Sequence, residues 1–124
     1  MPSAWNQRYE DFLGIQPPHD GDGVLQDVHW GSGLIGYFPT YALGNLYAAQ
    51  LFDQMERDLG STTKLLDRDA FQSIREWLRL NVHQRGQCLP AKKLIRKVTG
   101  KALSEESLVA HLRRKFEPLY GLSS

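Results

Sequence analysis

From Pro39 to Gly60 an apolar side chain returns every fourth residue, at Leu43, Tyr47, Leu51, Met55 and Leu59, with Leu46 and Phe52 widening the stripe. A strand turns successive side chains to opposite faces, so it cannot bury such a pattern; one long amphipathic helix can. Pro39 suits the first turn, where its missing N–H costs nothing, and Gly60 is placed to close the last. This helix, beginning near Phe38, is the longest the spacing predicts and forms the spine of the fold.

Shorter runs of the same period flank it. Trp5, Tyr9, Phe12 and Leu13 predict a first helix over about 4–13, stopped by Gly14. Downstream, Asp67 is read as the N-cap of a helix whose buried face is Phe71, Ile74, Trp77, Leu78 and Val82, with Gly86 beyond it. Pro90 opens a short helix carrying Leu94, Ile95 and Val98 as far as Gly100. Ser104 caps a last one carrying Leu108, Leu112 and Phe116 until Pro118 and Gly121. No period-2 run competes, so the expected fold is all-α, about five helices in a single helical unit over residues 1–124.

The exception is the stretch from Gly14 to Gly36. Pro17, Pro18 and five further glycines, at 21, 23, 31, 33 and 36, break any long regular element there. Connections this long in a compact chain usually perform a function, and the segment carries Trp30 with Val24, Leu25, Leu34 and Ile35. It is read as an ordered, functional loop folded over the N-terminal end of the long helix.

Composition narrows the function classes. At 41% hydrophobic and 23% charged residues the chain resembles ordinary globular proteins. No apolar run approaches the roughly 20 residues of a membrane helix, and the opening residues lack the pattern of a secretory signal; a cytoplasmic location without a membrane partner is expected. Cys88 has no second cysteine to pair with and no adjacent activating base, so a free buried thiol is expected. Residues 1–60 carry a net −6 and residues 61–124 a net +7, with Lys92, Lys93, Arg96 and Lys97 the densest cluster. Such cations can bind nucleic acid, but no recognition motif accompanies them, and a solvated helix face is the expected reading.

The chemistry concentrates in "GVLQDVHW" (23–30) and "GYFPTY" (36–41). Asp27 and His29 are two apart, so in an extended segment they share a side, where the carboxylate can orient the imidazole. Tyr37 and Tyr41 are four apart at the start of the long helix and can reach one point in space. A phenol and an imidazole converging there can donate to a developing oxyanion. Spacing alone favours the plainer reading of a loop fastened by local hydrogen bonds and two amphipathic tyrosines with their hydroxyls at the surface, because structural polar groups are commoner than reactive ones.

The first of these segments matches GxxQDxHW at Gly23, Gln26, Asp27, His29 and Trp30, and by it the chain resembles the carboxypeptidase Taq family of zinc-dependent carboxypeptidases. "GLIGYFPTYALGNLYAAQLF" (33–52), the opening "AWN" and "IREWL" are similar to that family too, and the likeness runs through the chain as roughly the last quarter of a family member. The resemblance implies a fold like the C-terminal part of a helical HExxH metallopeptidase, with a peptide as substrate. It implies that His29 lies near the metal centre and bonds the tetrahedral intermediate. Asp27 would then orient His29, Tyr41 and Tyr37 would stabilise the oxyanion, and Gln26 and Trp30 would line the substrate groove.

The departures matter as much. The histidines stand at 19, 29, 83 and 111, none at HExxH spacing, and the family's carboxylate-binding arginine motif is missing. Zinc is therefore expected in the full-length enzyme on ligands outside this chain, with no metal held here, and the chain alone is expected to be inactive and to self-associate through uncovered apolar surface. The alternatives are an inactive helical interaction module and a basic nucleic-acid-binding domain.

Overall fold

A computed structural model describes residues 1–68 and 70–122. Among them are seven α-helices and no strand: α1 (Pro2–Leu13), α2 (Val28–Gly31), α3 (Pro39–Leu59), α4 (Thr62–Leu66), α5 (Phe71–Asn81), α6 (Ala91–Thr99) and α7 (Glu106–Tyr120). The two beyond the expected five are the short α2 and α4. The residues cluster into two compact units, 1–41 and 42–124, the boundary falling just inside the first turn of α3.

In the first unit, α1 ends where expected: Gly14 takes φ 68 and its N–H reaches the Glu10 carbonyl, a left-handed stop that a side chain would strain. The segment beyond is not wholly irregular. It carries single 3₁₀ turns at Asp20–Asp22 and Val24–Gln26 and then α2, each too short to leave a periodic signal. Val24 is buried at 4% exposure.

In the second unit the core is Met55, Trp77 and Ile95, of which Ile95 is the most enclosed at 1% exposure. Leu51, Phe52, Ile74 and Leu78 line one apolar cavity together with Met55 and Trp77. The Trp77 indole N–H donates to Asp58 Oδ2 at 2.7 Å, joining α5 to α3. Gln50 is buried as well, at 5% exposure, and every polar atom of its side chain is used. Its Nε2 donates to Thr99 Oγ1 (3.1 Å) and the Ala102 carbonyl (3.0 Å), and its Oε1 accepts from the Ser104 N–H (3.2 Å). Gln50→Ala leaves the Ala102 carbonyl and Ser104 N–H without partners, so urea denaturation is expected to show a loss of about 1–3 kcal/mol.

Several local expectations are corrected. Asp67 does not cap α5; its N–H reaches back to the Thr63 carbonyl at 3.0 Å as α4 ends, and α5 starts after Ala70 with no side-chain cap. Ser104 does not cap α7: the helix begins two residues later, at Glu106, and the residue before it, Glu105, makes no side-chain cap bond. Pro118 does not stop α7 either: it lies in the final turn, and Gly121, at φ 62, makes the stop. Phe71, Leu112 and Phe116 are exposed rather than buried, as is the Cys88 thiol. The stripe on α3 is covered only toward its C-terminal half, since Met55 is buried while Leu43 is 46% exposed.

Candidate active site

Asp27 and His29 are brought together by a helix start, not by the extended backbone expected for them. Asp27 is the N-cap of α2, and its Oδ1 accepts both the His29 backbone N–H (3.0 Å) and the His29 ring Nδ1 (2.7 Å). One carboxylate oxygen thus supplies the missing acceptor at the helix end and fixes the imidazole, which explains why the two residues stand two apart. Both side chains are largely covered, at 9% exposure for Asp27 and 16% for His29.

An ionised carboxylate only accepts, so Nδ1 carries a proton and the working atom is Nε2. Tyr41, on the first turn of α3, places its hydroxyl 3.3 Å from that atom. The ring of Tyr37 packs against His29 at 5.3 Å between centroids and meets Tyr41 edge-on at 5.8 Å. Asp27, His29, Tyr37 and Tyr41 therefore form one cluster, with the two phenols about half exposed at its mouth.

Gln26 and Trp30 sit differently. The Gln26 amide donates to the Gly21 carbonyl across the loop, and the Trp30 ring turns edge-on to Trp5 of α1, 6.1 Å away. Two further aromatic residues, absent from the expected site, join these groups. Phe38 lies 5.8 Å from both His29 and Tyr41 and is 59% exposed; Trp5 supports Trp30. The signal for Phe38 was an aromatic set between the two tyrosines immediately before a helix-starting proline.

The cluster sets a ring nitrogen beside a half-exposed phenol, backed by a covered carboxylate, and both groups are of the kind that can donate to an oxygen gaining negative charge. It does not suit a metal, because the Asp27 oxygen is spent on His29 and no group of three or more His, Cys, Asp or Glu among the described residues could hold one.

Known proteins share both sequence and fold. Thermostable carboxypeptidase 1 of Thermus thermophilus is 46% identical over 121 residues, 98% of this chain and 24% of the relative. Carboxypeptidase 1 of Bacillus subtilis is 46% identical over 122 residues, again 98% and 24%. The crystal structure of the M32 carboxypeptidase from Deinococcus radiodurans R1 matches with a TM-score of 0.88 at 38% identity, covering 98% of this chain and 24% of that one. The chain thus spans about a quarter of the length of the relatives it matches. The sequence model described as carboxypeptidase Taq (M32) metallopeptidase matches residues 1–116, so that nearly all of this helical chain, the Asp27–His29–Tyr41 cluster included, belongs to the carboxypeptidase Taq (M32) metallopeptidase family.

Proposed function

We propose that this chain is the C-terminal part of a zinc metallocarboxypeptidase that removes C-terminal residues from peptides, forming one catalytic domain with polypeptide that carries the metal. The observation that carries this reading is the bonded series Asp27, His29 and Tyr41, opening on a half-exposed aromatic cluster in a chain of this family. Zinc, held by ligands outside the chain, supplies Lewis acidity and an activated water.

The residues of this chain act on the other side of the reaction. Attack on a peptide carbonyl turns its oxygen into an oxyanion. His29 takes up a proton from solvent on Nε2 before the attack, so that both ring nitrogens are donors, and then donates to that oxygen while the Asp27 carboxylate balances the imidazolium charge. Tyr41 turns its O–H from Nε2 to the same oxygen, and Tyr37 packs against His29 and limits its rotation. Gln26 and Trp30 shape the groove at the loop. These contacts strengthen as charge develops, which is the condition for lowering the barrier and not merely binding substrate.

The apolar side chains left in solvent fit the same reading. Phe12, Val28 and Ile35 are 77%, 74% and 83% exposed. We assign them to the interface with the remaining polypeptide, and expect the isolated chain to form dimers or larger species. A strictly monomeric chain by light scattering at micromolar concentration would count against that assignment.

A graft tests the function. The chain replaces the matching quarter of the Bacillus subtilis Carboxypeptidase 1, and release of C-terminal amino acids from peptides is followed with zinc present. The hybrid is expected to turn over, and the isolated chain to give no product. A folded, zinc-loaded hybrid without activity, or turnover by the chain alone, overturns the proposal.

A further inference from the structure

We propose that Trp5 is a positioning residue for the His29 site, holding α2 in place through Trp30; the inference rests on the reading of the site given above. A helix of four residues cannot persist by its own hydrogen bonds, so α2 needs outside support. Asp27 provides one attachment at its start. The other is Trp30, next to His29 in the chain, whose ring stands at 85° to that of Trp5 with centroids 6.1 Å apart. Trp5 is itself braced one turn along α1 by stacking on Tyr9 at 5.3 Å.

A second contact from the same turn of α1 supports the loop before α2. Gly23 is buried, and a Cβ there would meet Pro17 at 3.2 Å and the Asn6 Oδ1 at 3.5 Å. Trp5 and Asn6 therefore bracket the segment 23–30 that carries Asp27 and His29. The Trp5 indole N–H is buried and makes no hydrogen bond. Its contribution is therefore the flat edge and face of the ring, which phenylalanine reproduces in part and leucine does not.

The test uses the hybrid enzyme with Trp5→Leu, Trp5→Phe, Trp30→Leu, the Trp5→Leu/Trp30→Leu pair, and His29→Ala. Small displacements of a catalytic group are costly, so Trp5→Leu is expected to lower kcat by about 10–100-fold with KM nearly unchanged, and Trp30→Leu, which also alters the groove, to lower kcat by a similar factor and raise KM as well. Trp5→Phe recovers most of the loss. The double variant loses no more than the worse single variant, because both changes break one contact. Full kcat in either leucine variant, or losses that multiply in the double variant, overturns the positioning role while leaving the site reading intact. Unchanged kcat in His29→Ala overturns both. Urea unfolding of the hybrid distinguishes positioning from general destabilisation: Trp5→Leu loses kcat at a denaturant concentration where the enzyme is still fully folded, whereas a merely structural role would make the activity loss track the unfolded fraction.

Discussion

Replacing His29 with alanine in the hybrid enzyme is expected to lower kcat/KM by about 10²–10³-fold, the range for loss of one oxyanion donor. The substitution removes the atom that Tyr41 reaches at 3.3 Å and that Asp27 orients from the opposite side of the ring at 2.7 Å. Asp27→Asn is expected to lie in the same direction with a smaller loss. The amide keeps the shape but can offer its NH₂ to Nδ1, favouring the tautomer in which Nε2 holds the proton and Nδ1 accepts. It also removes the charge that balances the imidazolium. A fold-stability role would behave differently, since urea unfolding of the two variants would then track their loss of activity.

Trp77→Ala is expected to destabilise the second unit by about 3–5 kcal/mol, the range for deleting a large buried aromatic. Trp77 is 6% exposed, packs beside Met55 and Ile74, and is the donor to Asp58 that joins α5 to α3. Against a usual net stability of about 5–15 kcal/mol, that is enough to unfold a sizeable fraction of molecules. Trp77→Phe separates the contributions: it keeps most of the apolar contact and loses the 2.7 Å bond, so the expected cost is about 1–3 kcal/mol. Thermal melts of the two variants give the comparison.

How much of this was written in the sequence differs from element to element. The long helix could be read because its stripe runs for five turns and its ends carry proline and glycine, signals that survive any tertiary context. The helix of Trp77 was found for the same reason, yet its start was misplaced, because Asp67 is a good cap by type and the short α4 claimed it for its own end. Short helices such as α2 have no period to detect. Their presence depends on contacts such as Trp5 with Trp30, which lie 25 positions apart. Exposure was the hardest property to foresee. Phe71, Leu112 and Phe116 repeat at helical spacing, but whether a face is covered depends on what polypeptide lies opposite, and the spacing contains nothing about that.

The candidate site was legible to a different degree. The two-residue spacing allowed Asp27 to pair with His29 without requiring it, the resemblance to the family favoured the pairing, and the backbone that brings them together is a helix cap and not an extended strand. Tyr41 lies on the first turn of α3 but Tyr37 stands two residues before the helix begins, so the two are brought together by the turn into α3 and not by helical spacing, and the phenol–imidazole approach joins the two segments. Phe38 carries no polar atom beyond the backbone and so drew no attention as chemistry. Its place beside His29 emerged only from the packing.

The role proposed for His29 is to act on the developing oxyanion and not on substrate at rest. The direct measurement compares, in the hybrid enzyme and its His29→Ala variant, the Kd of a phosphinic peptide that mimics the tetrahedral intermediate with the Kd of the matching intact peptide bound without turnover. The account predicts that the mimic loses affinity by about the same factor as kcat/KM, some 10²–10³-fold, while the intact peptide binds nearly as before. Equal losses for both ligands, or no loss for the mimic, would contradict it.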